Sequence, residues 1–172
     1  MKEKVKLAIE RIQGFADIAE KHHDDDGNGG YYLAFSGGKD SVVVKALMDM
    51  AGVNYQAFYR VTSVDPPELV RFIKEKHPDV KFNIPRDKDG NRITMWNLIP
   101  KHLMPPTRIV RYCCSDLKES GGDGRFTVTG VRWAESSNRS RNQGLVTIMD
   151  KKVENNPNFQ RTPRGGGGAG KR

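Results

Sequence analysis

The stretch Tyr31-Tyr32-Leu33-Ala34-Phe35-Ser36-Gly37-Gly38-Lys39-Asp40-Ser41 decides how this chain is read. Its first five residues are apolar and aromatic, which predicts a buried strand. Ser36-Gly37-Gly38 breaks the run, and Val42-Val43-Val44-Lys45-Ala46-Leu47-Met48 then reads as a helix with an apolar face. Strand, glycine turn and helix N-terminus together make an anion site, because backbone N–H groups in the turn are free and the helix dipole favours negative charge there. Gly37 and Gly38 let the backbone approach a phosphate with no Cβ in the way. Ser36 and Ser41 offer hydroxyl donors, and Lys39 adds a positive charge. A Walker A loop is excluded, since Asp40 separates Lys39 from Ser41, and the stretch is not G-x-G-x-x-G.

Working outward, residues 2 to 23 read as one amphipathic helix, with Val5, Ile9, Ile12, Ala16 and Ala19 at helical spacing. His22, His23 and Asp24 to Asp26 suit a solvated helix end rather than a metal site, since nothing in the pattern fixes a ligand geometry. A helix over residues 40–51 is expected, with Gly52 as its C-cap. Tyr55 to Val61 is a second strand. Asp65-Pro66-Pro67-Glu68 ends it and opens a helix over 68–76 with proline in the first turn. Further strands are expected over 80–84, 125–131 and 145–149, and helices over 93–103 and 112–119. Trp96 and Leu103 are placed towards the core; Trp96 could instead stack on a base, but packing is the commoner use. The alternation predicts an α/β fold with a mainly parallel sheet. Ligands of such sheets sit beyond the carboxyl ends of the strands, where strand order reverses. That places the loop after the first strand opposite the segment after the 125–131 strand.

The chain has 172 residues, 29 basic and 21 acidic, for a net charge of +8. An anionic ligand is favoured, either a nucleotide or nucleic acid. Half of the net charge lies in residues 155–172, where Arg161, Arg164, Lys171 and Arg172 meet no acid. The expected organisation is an N-terminal helix and turn (1–28), a central domain (29–150) and a basic, glycine-rich, disordered tail (151–172). No apolar run approaches the ~20 residues of a membrane span, and the N-terminus has no signal core, so a cytoplasmic protein without a membrane partner is expected. Cys113 and Cys114 are the only cysteines and form no disulfide framework.

Ser36-Gly37-Gly38-Lys39-Asp40-Ser41 resembles, at every specified position, the SGGxDS loop of the PP-loop ATP pyrophosphatases, and most closely their phosphoadenosine-phosphosulfate (PAPS) reductase-like branch. Arg111-Tyr112-Cys113-Cys114-Ser115-Asp116-Leu117-Lys118 resembles the family's Arg/Cys/Lys segment. Gly130-Val131-Arg132 with Glu135-Ser136 and Arg139 resembles its G-x-R-x-x-E-S segment. The resemblance implies an adenine nucleotide alpha-hydrolase-like fold, a Rossmann-like three-layer arrangement with a parallel sheet of about five strands. It implies that the loop holds the phosphates of ATP, or the sulfate or phosphate end of an adenylyl sulfate or PAPS.

Attack at the α-phosphorus of ATP builds charge on departing pyrophosphate, which backbone donors at 37–41 and Lys39 would stabilise. Lys39 and Asp40 are therefore expected to be catalytic. Arg111, Lys118, Arg132 and Arg139 would form a second wall of cations, beside Gly130 and Glu135. Asp40 or Asp65 would help to hold Mg²⁺. Cys113 and Cys114 follow an arginine and precede a helix, features that lower a thiol pKa, so one of them is a persulfide carrier or both pack as small apolar residues. An iron–sulfur cluster wants four thiolates, which one chain lacks. Two functions follow: an enzyme that cleaves at the α-phosphate or transfers sulfur, or a non-catalytic nucleotide-binding module of a complex acting on nucleic acid. Expected partners are an adenine nucleotide, a sulfur donor or nucleic-acid acceptor, and a second copy of the chain.

Overall fold

The computed structural model describes residues 2–24, 27–118, 121–122 and 124–132. The chain divides into two compact units, Met1–Gly130 and Val131–Arg172. The strand expected over 145–149, the tail, Glu135 and Arg139 lie outside the described residues.

The first unit is an α/β fold built on a parallel sheet of four strands, compatible with a Rossmann-like fold. The strands are β1 (Tyr31–Ala34), β2 (Tyr55–Arg60), β3 (Lys81–Asn83) and β4 (Phe126–Thr129). They lie in the order β3-β2-β1-β4, and every pairing is parallel. The helices are α1 (Lys2–Gly14), α2 (Ala16–Lys21), α3 (Lys39–Ala51), α4 (Pro67–Lys76), α5 (Met95–His102) and α6 (Tyr112–Leu117). Alternation along the strands sorts side chains to two faces. Tyr31 and Leu33 join Ala57, Tyr59, Met48, Ile73 and Val80 in the main core. Tyr32 and Phe58 stand on the opposite face, their rings stacked at 4.5 Å.

Local signals explain most boundaries. Gly52 caps α3 at φ 66, and Pro67 opens α4, as the sequence predicts. The helix expected over 2–23 is broken at Phe15, directly after Gly14, into α1 and α2. Glycine weakens the helix there, and the Phe15 ring instead stacks on Phe126 at 5.8 Å. α1 buries no residue fully, although it lies along α3.

Two placements are corrected. Trp96 is 70% exposed and Leu103 is 92% exposed. α5 turns a different stripe inward: Leu98 is buried with Tyr112 and Leu117 in a small second core, and Met95 packs against it. Leu103 is the left-handed C-cap of α5, at φ 58, which carries it off the helix before it can point inward.

Candidate functional site

Three hydrogen bonds shape the turn after β1. The Ser41 hydroxyl donates to the Gly38 carbonyl (2.8 Å), the Ser36 hydroxyl donates to Ser41 Oγ (3.2 Å), and the Gly38 N–H donates to Ser36 Oγ (3.4 Å). Ser41 is only 4% exposed. Its hydroxyl therefore locks the turn, where the sequence offers it as a donor to a ligand. Gly37 is required twice. It sits at φ +73, and a Cβ there would come within 2.6 Å of Leu69 Cδ1 on α4. Gly38 differs: a Cβ there would meet nothing nearer than Ser36 Oγ at 3.5 Å. One glycine closes the turn onto α4 and the other leaves its outer side open. Gly38 is also the N-cap of α3, and no side chain caps that helix. The first turn of an α-helix has N–H groups without intrahelical partners. Here they adjoin the open side of Gly38, with exposed Lys39 and half-buried Asp40 beside them.

Sheet order gives this turn its position. The chain runs from β1 outward to β2 and β3, then returns to place β4 on the other side of β1. Strand order therefore reverses between β1 and β4, where α/β sheets open a crevice at their carboxyl edge. Gly130, the residue after β4, closes on that point: a Cβ on it would lie 3.2 Å from the Asp40 carbonyl carbon and 3.3 Å from the Ser41 nitrogen. Ser36, Gly37, Gly38, Lys39, Asp40, Ser41 and Gly130 thus come together as the sequence predicts. Arg132 is exposed and belongs to the second unit.

Asp65 is engaged within its own turn. Its two carboxylate oxygens accept from the Thr62 N–H and the Thr62 hydroxyl, both at 2.7 Å. It holds the turn at the end of β2. Burial, and then the Asp65 carboxylate, push the Tyr59 phenol pKa up. Among the described residues no group of three or more His, Cys, Asp or Glu side chains could hold a metal ion. Asp24 accepts from the Asn28 backbone N–H and lies 3.7 Å from Arg125. Asp40 stands in the first turn of α3.

Arg111, Cys113, Cys114 and Lys118 form a separate group on α6. The two cysteines lie inside the helix, not ahead of it. Cys113 packs against the small second core, and burial, with Cys114 beside it, pushes its thiol pKa up against the pull of Arg111. This corrects the expected lowering for that thiol. The Arg111 guanidinium donates to Cys114 Sγ at 3.3 Å. Arg111 and Lys118 are exposed at the two ends of the helix.

Arg125 escaped the sequence reading. Its side chain is 1% exposed. It donates to Gln56 Oε1 and to the carbonyls of Gly29, Gly30 and Tyr31, so it anchors the entry to β1. An arginine at the start of an apolar strand was the one available signal. Comparison with protein-family models, with curated proteins and with solved structures gives no match to this chain.

Proposed function

We propose that the chain is a PP-loop, PAPS reductase-like protein that binds ATP or an adenylyl sulfate at the β1–α3 turn and cleaves at the α-phosphate. One observation carries the reading: the open side of Gly38 and the uncapped start of α3 lie at the β1–β4 switch point, with Gly130 packed against Asp40 and Ser41. In this reading the phosphates sit on the backbone donors of residues 39–41, at the open side of Gly38. Lys39 offsets charge that develops on the departing pyrophosphate, and the fixed turn supplies that offset without reorganising. Asp40 would help to hold a Mg²⁺ ion brought by the nucleotide, which would offset phosphate charge. The Ser36–Ser41–Gly38 hydrogen bonds keep the donors aligned. The finer fold assignment, an adenine nucleotide alpha-hydrolase-like sheet of about five strands, belongs to the same proposal, as do a second copy of the chain and a sulfur acceptor as partners.

The packing of Cys113 in the small core favours a second reading, a nucleotide-binding module without thiol chemistry. Calorimetric titration with ATP·Mg²⁺, adenylyl sulfate and PAPS, with pyrophosphate release followed in parallel, separates the two. Binding with release supports the enzyme, and binding without turnover supports the module.

A further inference from the structure

The sequence offers its tail as a nucleic-acid contact, but the folded body carries a better surface. Residues 90–111 contain Arg92, Lys101, Arg108 and Arg111 and no aspartate or glutamate. The same stretch exposes large apolar side chains that a folded chain ordinarily covers: Trp96 at 70%, Leu103 at 92% and Ile109 at 93%. It is held in shape. The Thr107 N–H donates to the Val110 carbonyl and the Val110 N–H to Thr107 Oγ1, both at 3.0 Å, closing a turn with Arg108 and Ile109 at its tip. Below it, the Tyr112 hydroxyl donates to the Met104 carbonyl (2.7 Å), and the Tyr112 ring stacks on His102 at 4.0 Å. A Thr94–Asn97 capping box fixes the start of α5, where Trp96 stands. Carboxylates adjoin the stretch: Asp89 directly precedes it, Asp116 lies 3.4 Å from His102, and Lys101 helps to lower the Asp87 pKa, after the Asn91 backbone.

We propose that α5 and the loop after it form a docking face for single-stranded nucleic acid. The charge selects the partner. A second copy of a chain with net charge +8 would bring like charge to like. Arg92, Lys101 and Arg108 are all exposed, and a polyphosphate strand that reaches them is neutralised and releases its counterions. Trp96 offers a ring face to an unpaired base, the usual platform for single strands. Ile109, beside Arg108 at a turn tip, is placed as an apolar wedge between bases next to a phosphate contact. A duplex keeps its bases stacked and cannot use Trp96, so the face prefers single strands. The Arg111 guanidinium is engaged with Cys114 and is not needed.

The test is fluorescence anisotropy of labelled oligothymidylate and oligouridylate about twelve nucleotides long, a length within the site sizes of single-strand binders. The full chain is used without adenine nucleotide, and the variants below lie outside the β1–α3 turn, so their effects separate this face from that turn. A dissociation constant on the order of 10 µM at low salt is expected. Trp96→Ala should weaken binding about tenfold. The triple variant Arg92→Ala/Lys101→Ala/Arg108→Ala should lower the salt slope by about two. No anisotropy change at protein concentrations on the order of 100 µM overturns the proposal. So does binding that survives these variants and disappears on deleting residues 155–172, which would assign it to the tail. A third contrary result is displacement of the oligonucleotide by a duplex of equal length as readily as by a single strand.

Discussion

Gly130 and Asp40 are packed so closely that a methyl group on Gly130 would lie 3.2 Å from the Asp40 carbonyl carbon. The end of β4 is therefore pressed onto the first turn of α3. The position of the turn that ends at Gly38 depends on a residue about ninety positions away, at the strand where sheet order reverses. If the turn binds the proposed nucleotide, that contact couples binding to sheet assembly.

Gly130→Ala is expected to displace the first turn of α3 and to weaken nucleotide binding about tenfold, a loss of about 1.4 kcal/mol. Thermal unfolding should show only a modest fall, because the contact is at a strand end. Equal affinities for Gly130→Ala and the parent chain in calorimetry would contradict the coupling.

The two glycines of the turn should part company. Gly37→Ala forces a side chain into φ +73 and against Leu69, and should destabilise the fold by about 1–3 kcal/mol. Gly38→Ala meets only Ser36 Oγ at 3.5 Å. It should leave the melting temperature near that of the parent and abolish nucleotide binding, because its methyl stands on the open side. Denaturant unfolding and titration of the two variants check the pair.

The thiols should differ in the same way. Cys113 is partly buried with a raised pKa, whereas Cys114 lies against the Arg111 guanidinium. Alkylation by iodoacetamide at neutral pH should modify Cys114 first, so Cys114→Ser should remove the fast phase and Cys113→Ser should leave it. Mass spectrometry of the early product decides between them.

Stability should fall at alkaline pH. Lys45 is held by Asp79 at 3.0 Å and by Asp49 at 3.4 Å; burial pulls its pKa down, but Asp79 and Tyr55 outweigh that and raise it. Burial, then Asp49, pushes the Tyr55 phenol up to about 12. Both folded pKa values lie above the unfolded ones, so both contributions are complete below about pH 10 and are lost as pH rises towards and beyond 12. Melting temperatures measured from neutral pH upward should hold level and then drop above about pH 10. Lys45→Met should make that drop shallower.

The turn, the helix after it, the α4 start at Pro67 and the αL cap at Gly52 were legible because each rests on a local rule that the backbone obeys whatever surrounds it. The first strand was legible from its apolar run, those at 55–61 and 125–131 from alternation along the strand, and the parallel sheet from the alternation of strands with helices. The inward stripe of α5 was not, because Trp96 and Leu98 are both apolar and only the position of Tyr112 and Leu117 decides which is covered. The turn that Asp65 closes on Thr62 was not legible, because a carboxylate engaged in that way looks, in sequence, like any other. The role of Arg125 needed tertiary structure, since its acceptors at 29–31 and 56 are far away in the chain.

The central claim is that the β1–α3 turn binds an adenine nucleotide, and calorimetric titration with ATP·Mg²⁺, adenylyl sulfate and PAPS tests it most directly. The account predicts saturable binding of at least one of the three that is lost in Gly38→Ala, with pyrophosphate release if ATP is the substrate. No heat with any of them, or binding that Gly38→Ala leaves intact, would contradict it.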